Sequence, residues 1–151
     1  MPAPGHLPPP IAITNLLGRY AECIDNGDFE GVGQLFAHAT VTADAGGSWT
    51  GAAEVTEMFN ALTRKHDDGT PRTKHVITNP IVEMDGPETG RCRSYFTVLM
   101  NTPTLPLQPI VAGRYRDEFG LIDGEWCFTG RHMIVEFVGD VSQHLNMELK
   151  R

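Results

Sequence analysis

One histidine has the residue type and setting for proton chemistry. His75 interrupts RTKHVITNP, Arg72–Pro80, a segment whose β-branched residues are otherwise typical of a strand. An imidazole titrates near ~6.5, so it can act as a base at neutral pH when a carboxylate orients it. Without such a partner, the same histidine is only a polar residue on a strand face. The neighbouring residues do not decide between these two interpretations. His75 can act as a base only if the fold brings an Asp or Glu side chain beside it.

The other histidines give weaker signals. His6 lies near the N-terminus, His38 and His66 follow predicted helices, where positive charge is favoured, and His144 comes near the end. His132, in GRHM, lies on the last predicted strand and is a candidate to reach the same site as His75. No histidine spacing typical of a metal site occurs, nor do the motifs GxGxxG, GxxxxGK[ST] or GxSxG. We therefore expect neither a metal nor a cofactor.

Composition narrows the class of protein. The chain has 151 residues, 40% hydrophobic and 21% charged, with a net charge of −7, which suits about one globular domain. The negative charge argues against a nucleic-acid-binding surface. There is no apolar run near the ~20 residues of a membrane span, and no signal-peptide pattern. Cys23, Cys92 and Cys127 are widely spaced, which is typical of reduced thiols. We expect a cytoplasmic protein without membrane or nucleic-acid partners.

Three helices are predicted in the first half of the chain. Residues 1–10 hold five prolines and are interpreted as a mobile tail before a single domain over 11–151. The first helix runs from Ile11 to the DNGD turn, where Gly27 ends it and Asp28 caps a short second helix. A third covers Ala52 to about Lys65. The apolar residues of the first two recur at helical spacing: Ile13, Leu16, Leu17, Tyr20, Ala21 and Ile24, then Phe29, Val32, Leu35 and Phe36.

The second half is predicted to be β. A short strand, Thr40 to Asp44, precedes the third helix, and GGSWTG is a turn or short strand. Long strands follow at Thr73 to Asp85, with a bulge at Pro80, and at RCRSYFTVLMNT, IVAGRYRDEFGLI and EWCFTGRHMIVEF. TPTLPLQP is interpreted as a connection, Asp123-Gly124 as a tight hairpin, and VGDVSQHLNMELK as a possible site for a short terminal helix.

Helices followed by an antiparallel meander predict an α+β fold. The sheet must bury one face on the three helices, and long bent strands around the first helix would form a cone with an apolar pocket. Several segments, LLGRYAECIDNGDFEGVGQLFAHATVT, GSWTGAAEVTEMF, TKHVITNP and AGRYRDEF…DGEWCFTGRH, resemble the SnoaL-like branch of the nuclear-transport-factor-2-like superfamily over roughly residues 11–145. That superfamily shares a cone-shaped α+β barrel and includes scytalone dehydratase, hexachlorocyclohexane dehydrochlorinase and the β-subunits of ring-hydroxylating dioxygenases.

The resemblance implies a partner for His75. In the two lyases, an Asp at the end of the first helix orients a His near the start of the first long strand, and these positions correspond to Asp25 and His75. The residue-based alternative is that Asp25 only satisfies backbone donors in the DNGD turn. Other positions depart from the family. Met100 replaces a second histidine, Tyr115 replaces an amide, and the place of an arginine falls near Gly120-Leu121, so no arginine carries over.

Strand alternation predicts which residues face the pocket. His75, Ile77 and Asn79 share one face, as do Ser94, Phe96, Val98 and Met100, and then Gly113, Tyr115 and Asp117. Tyr115 could donate a hydrogen bond to a developing oxyanion, or it could be a core tyrosine. The predicted substrate-binding set is Tyr115, Trp49, Phe59, Met58, Asn79, Met100 and Tyr20.

Two classes of function follow. The leading hypothesis is a small cofactor-free lyase or isomerase, dehydratase-like, in which the Asp-oriented His75 removes a proton from a hydrophobic cyclic or polyketide-like molecule. The alternative is a non-catalytic accessory or ligand-binding subunit resembling the dioxygenase β-subunits. Large apolar residues on both faces of RCRSYFTVLMNT and RHMIVEF also predict a homo-oligomer, either a dimer or a trimer.

Overall fold

The computed structural model describes residues 6–149. The first helix, α1, spans Pro9–Asp25, α2 spans Phe29–Leu35 and α3 spans Gly51–Leu62. Of the predicted tail, residues 1–5 lie outside the described part of the chain. The helix begins two residues earlier than expected, because proline is tolerated in a first helical turn, where its missing N–H has no intrahelical acceptor.

The junction between α1 and α2 follows its sequence signals closely. Gly27 has φ 74°, and its N–H bonds to the Ile24 carbonyl while the Asp28 N–H bonds to the Cys23 carbonyl. These two bonds form a Schellman motif, which needs a left-handed residue at this place. The Asp28 side chain then accepts from the Gly31 N–H at 2.8 Å and begins α2. A tight turn therefore fixes the position of Asp25, the last residue of α1.

Six strands form one sheet. They are β1 (Thr40–Ala43), β2 (Ser48–Thr50), β3 (Thr73–Met84), β4 (Thr89–Thr102), β5 (Leu105–Ile122) and β6 (Glu125–Val138). Their order in the sheet is β2-β1-β6-β5-β4-β3, and every pair is antiparallel except β1 with β6. The predicted α+β class is confirmed: three helices cover one face of a curled, unclosed sheet.

Two interpretations of the loops need correction. TPTLPLQP is not a free connection, because β5 already begins at Leu105 and pairs with β4 through this segment. Pro106 and Pro109 are tolerated there because β5 pairs with β6 only from Val111 onward, so this part of β5 lies at an edge of the sheet. The predicted terminal helix is absent from residues 139–149, which fold back in turns and pair Leu145 with Thr63.

The core lies between the helices and the inner face of the sheet. The apolar faces that the sequence predicted for the first two helices contribute eight core residues, all at most 6% exposed: Ile13, Leu16, Leu17, Tyr20, Ile24, Phe29, Val32 and Phe36. The sheet supplies Phe96, Val98, Met100, Tyr115 and Phe119, at most 5% exposed. The strand alternation predicted for β4 and β5 is present, and it turns Ser94 and Asp117 inward among these apolar side chains.

Candidate functional site

Asp25 and His75 meet at the junction of α1 and β3. The Asp25 Oδ1 lies 2.6 Å from the His75 Nδ1, and the Asp25 Oδ2 accepts the His75 backbone N–H at 2.8 Å. The Thr73 hydroxyl donates a third hydrogen bond, from Oγ1 to the Asp25 Oδ1 at 2.8 Å. The two side chains are only 5% and 9% exposed, His75 and Asp25 respectively. The carboxylate is thus held by the backbone and side chains of a single strand.

The electrostatics of Asp25 favour its ionised form. Burial pushes the pKa of Asp25 upward, but the hydrogen bonds and charge of His75, together with the Thr73 hydroxyl, outweigh burial and hold the pKa below its usual value. An ionised carboxylate only accepts hydrogen bonds, so His75 Nδ1 must be the donor. In a neutral ring, Nε2 then carries the lone pair, and it has no hydrogen-bond partner among residues 6–149.

Tyr20 lies at the centre of the interior beside this pair. Its ring is 6.0 Å from the His75 ring and 5.9 Å from the Tyr115 ring, centroid to centroid. Phe36 and Phe59 complete the cluster at 5.9 Å and 6.4 Å from Tyr20. Burial raises the pKa of both tyrosines, although the charge of Arg131 opposes it. At neutral pH both hydroxyls are therefore neutral hydrogen-bonding groups.

Tyr20 also packs against a buried ion pair that the sequence did not predict. Arg131 donates to both carboxylate oxygens of Asp117, from Nε at 2.7 Å and from Nη2 at 2.9 Å, and the side chains are 1% and 0% exposed. The guanidinium carbon lies 4.3 Å from the Tyr20 ring centre and 3.8 Å from that of Tyr115. Its Nη1 is buried and has no partner in the described chain.

The sequence analysis did not select Arg131 as an interior residue, and a bulge explains why. In the pairing of β5 with β6, Glu118 opposes Gly130 while Phe119 opposes Phe128, so Thr129 is an extra residue. Simple alternation from Phe128 would turn Arg131 outward. The bulge reverses the phase, which buries Arg131. The same reversal places His132 on the outer face, where its Nδ1 lies 2.7 Å from Thr42 Oγ1.

The predicted substrate-binding residues divide into two groups. Tyr20, Tyr115, Met58, Phe59 and Met100 are at most 7% exposed, and Met100 opposes Thr73 directly across β3 and β4. Tyr20 lies beside His75, and Tyr115 and Phe59 pack on Tyr20, whereas Met58 also lines the cleft that contains Trp49.

Asn79 and Trp49 do not join that group. Asn79 has φ 56° in the bulge between Thr78 and Ile81, so the predicted alternation breaks there, and its exposed side chain lines a cleft with Arg93 and Tyr95. Trp49 lies half-buried on β2 and lines a shallow cleft with residues of α3.

Two clefts of the described chain lie at the margins of this interior. One of about 330 Å³ reaches Asp25 and Thr73, and both polar residues, such as Arg72 and Asn101, and the apolar Leu99 and Leu107 line it. Another of about 500 Å³ lies on the outer face of the sheet and includes His132. The rings of Tyr20 and His144 lie beside His75, with centroids 6.0 Å and 6.5 Å from the centroid of its ring.

The structure adds two further polar residues beside His75 that sequence reasoning did not select. Thr73 bonds Asp25, and His144, in the C-terminal segment, has its ring centroid 6.5 Å from that of His75. Thr73 could have been found from its position two residues before His75 on the same strand face. No local pattern identifies His144. Residues 6–149 contain no cluster of His, Cys, Asp and Glu suited to a metal ion, and no helix among them is long and apolar enough to cross a bilayer.

The family assignment can now be made. A model of the SnoaL-like domain matches residues 11–132, and the chain therefore belongs to the SnoaL-like family, as the sequence resemblance predicted. No curated protein matches the chain.

Solved structures agree on the fold. A candidate scytalone dehydratase from Novosphingobium aromaticivorans is 20% identical with a TM-score of 0.69, covering 86% of this chain and 85% of its own. LinA is 17% identical with a TM-score of 0.70, covering 93% and 92%. The β-subunit of a candidate aromatic-ring-hydroxylating dioxygenase from the same Novosphingobium species is 16% identical with a TM-score of 0.67, covering 85% and 89%. At these identities the likeness establishes the fold and leaves the activity to the site.

Proposed function

We propose that this chain is a small lyase or isomerase that acts by proton abstraction, without a cofactor, on a hydrophobic cyclic or polyketide-like molecule. His75 is the base and Asp25 orients it. The observation that carries the proposal is the 2.6 Å contact between His75 Nδ1 and Asp25 Oδ1, made by two side chains that are almost completely buried.

The geometry supports this chemistry in two ways. Asp25 holds the proton on Nδ1, so the lone pair of Nε2 is available to a carbon acid. When Nε2 takes the proton, the resulting imidazolium lies beside a carboxylate in a region of low dielectric, which stabilises it. An isomerisation is completed when the imidazolium returns this proton to a different carbon of the substrate. An elimination is completed when the electron pair of the broken C–H bond forms a double bond and the leaving group departs with its own bonding pair. In both reactions the negative charge that develops on the substrate must also be stabilised.

Arg131 and Tyr115 are the candidates for stabilising the negative charge that develops on the substrate. The unpartnered Nη1 of Arg131 is a buried donor on a guanidinium whose charge is paired with Asp117. The neutral Tyr115 hydroxyl, which is hydrogen-bonded to Tyr20, lies on a ring that packs against this guanidinium. Donors that are already fixed by packing stabilise developing charge at little reorganisation cost. Asp117 holds the guanidinium in place, so it acts as a positioning residue in this scheme.

The nature of the surrounding side chains supports a hydrophobic substrate. Tyr20, Phe59 and Met100 present two rings and a thioether to the interior beside the dyad. Substrate must reach Nε2 by displacing part of this packing, since the ring of His75 is 5% exposed. Flexible methionines suit such a rearrangement.

Proton abstraction can be tested before the substrate is known. We expect the wild-type protein to accelerate the exchange of α-protons for deuterium in a panel of cyclic ketones, cyclohexanone and 2-tetralone among them, followed by proton NMR in D₂O. His75→Gln should return exchange to the buffer rate, a loss of about 10²–10⁴-fold if the base acts as general bases usually do. His38→Gln, an exposed histidine, is the matched control. Wild-type exchange at the buffer rate for every ketone would contradict the proposal.

The second candidate function is a non-catalytic accessory or ligand-binding subunit. It is favoured by the dense packing around His75 and by the similarity in fold to a dioxygenase β-subunit. On this hypothesis, no ketone is exchanged, and His75→Gln and Asp25→Asn alter stability alone. The two hypotheses therefore differ in the exchange experiment itself.

Self-association is part of the proposal. The outer face of the sheet exposes Val76, Ile81 and Tyr95, which are 39%, 46% and 52% exposed, and a surface of this kind suits a second copy of the chain. Light scattering after size exclusion should give a dimer or trimer for the wild type and a monomer for Tyr95→Glu, while Gln34→Glu on α2 stays assembled. A monomeric wild type would overturn the proposal that the chain self-associates.

A further inference from the structure

The C-terminal segment, residues 139–149, brings a second histidine against the dyad. Its backbone is tied to the end of α3: the Arg64 N–H bonds to the His144 carbonyl at 2.8 Å, and the Asn146 N–H bonds to the Leu62 carbonyl at 2.9 Å. Leu145 also pairs with Thr63. These bonds fix the His144 ring at 6.5 Å from the His75 ring, with an angle of 61° between the planes.

His144 is buried with an unused polar atom. The residue is 6% exposed, and its Nδ1 has no hydrogen-bond partner among the described residues. Native proteins leave few buried polar atoms unpaired, because the group loses its water without gaining a partner. An unpaired nitrogen beside a candidate base is therefore a place where a ligand atom could restore the missing bond.

The surroundings of His144 keep its ring neutral. Burial lowers the pKa of His144 to about 4, the charges of His75 and His66 act in the same direction, and Asp25 opposes them. The nearby Arg64 side chain is directed to the Ser142 carbonyl. At neutral pH the ring therefore has one N–H and one lone pair. A neutral imidazole of this kind is a poor proton reservoir but a good hydrogen-bonding group.

We propose that His144 binds an oxygen atom of the substrate, a carbonyl or hydroxyl oxygen, through its unpaired Nδ1, and so positions the acidic C–H against Nε2 of His75. This inference rests on the proposed function and narrows its substrate class to oxygenated molecules. The role assigned to His144 is positioning and specificity, since proton abstraction remains with His75. A hydrocarbon of the same shape would leave Nδ1 unpaired and bind less tightly.

The test uses cyclohexanone and methylenecyclohexane, two probes of similar shape that differ in the oxygen. Protein labelled with ¹⁵N in its histidine rings is titrated with each probe by NMR. We expect cyclohexanone, and not the hydrocarbon, to shift the Nδ1 resonance of His144. In His144→Phe the Kd for cyclohexanone should rise by up to about tenfold, as expected for one lost hydrogen bond. His144→Asn, whose amide lies near the position of Nδ1, should restore part of the affinity, and the hydrocarbon should bind all three proteins alike.

Several outcomes would overturn the inference. They are an Nδ1 resonance that does not move with saturating cyclohexanone, equal cyclohexanone affinity in wild type and His144→Phe, or an equal loss of affinity for both probes, which would mean packing alone. Deuterium exchange in the same samples separates this inference from the proposed function. If Nδ1 shifts but cyclohexanone α-protons do not exchange, His144 binds oxygen and the proton-abstraction hypothesis fails. If exchange occurs without the shift, only the role of His144 fails.

Discussion

Asp25 binds His75 at two points, the ring through Nδ1 at 2.6 Å and the backbone through its N–H at 2.8 Å. Because both bonds end on the same carboxylate, the ring and its own strand are fixed relative to the end of α1. The Schellman turn at Gly27 then fixes the carboxylate itself. A side chain Cβ at position 27 would lie 2.2 Å from the Gly69 carbonyl oxygen, so the close approach as well as the positive φ requires glycine.

Replacing the carboxylate should cost stability in a pH-dependent way. Asp25→Asn should lower the free energy of unfolding at neutral pH by about 1–3 kcal/mol, because charge-assisted hydrogen bonds from His75 and Thr73 are weakened. The folded-state pKa of Asp25 lies below its usual 3.8, so the carboxylate stabilises the fold above that pH, and this contribution is lost as the pH falls through the folded-state value.

Urea unfolding of wild type and Asp25→Asn, measured from neutral pH downward, tests the size of this stability difference and the direction in which it changes with pH. The gap between the two proteins should narrow below about pH 4. Asp67→Asn, at an exposed position, serves as the control and should match the wild type throughout. A gap that stays constant down to acid pH would mean that the ionised carboxylate is not the stabilising species.

His144 should make the protein sensitive to mild acid. Its folded-state pKa is about 4 against 6.5 in the unfolded chain, so the unfolded state binds the extra proton first, and stability falls as the pH drops through this window. The full loss is at most about 3 kcal/mol. His144→Leu should flatten the pH dependence between these two values, whereas His38→Leu should not. Parallel stability curves for His144→Leu and wild type would refute the neutral, buried state of this ring.

The Arg131–Asp117 pair should behave as a unit. Arg131→Met or Asp117→Leu alone leaves a buried charge without its partner and should cost about 3–5 kcal/mol. The double variant should recover most of that loss, because two apolar side chains then fill the same space. Urea unfolding of the four proteins gives the coupling free energy. Additive single effects, with no recovery in the double variant, would mean that the two charges do not depend on each other.

The regular elements were predictable because each follows a simple period. The apolar spacing of α1, the glycine and aspartate of its C-terminal turn, and the Asp123-Gly124 hairpin, where φ is 51° and 80°, all follow local rules. Asp25 and His75 were selected because the family resemblance indicated their positions, and the structure brings the two side chains together.

The errors in the site arose at bulges and in the C-terminal segment. One extra residue at Thr129 turns Arg131 inward and His132 outward, and the bulge after Thr78 turns Asn79 away. Each bulge switches the face of the sheet to which the following side chains point. The alternation of polar and apolar residues in the sequence does not reveal this switch. His144 reaches His75 through backbone bonds to Leu62 and Arg64, which are about 80 residues away in sequence, and such contacts have no local pattern.

In the proposed site, Asp25 keeps the proton on Nδ1 of His75 and leaves Nε2 free to act as a base. Long-range ¹⁵N–¹H correlation NMR of the histidine rings at neutral pH tests it directly, in wild type and in Asp25→Asn. We expect the neutral form of the wild-type ring to carry its proton on Nδ1 and its lone pair on Nε2, and the variant to lose this preference. A wild-type ring that carries its proton on Nε2, or a variant with the same tautomer as the wild type, would contradict it.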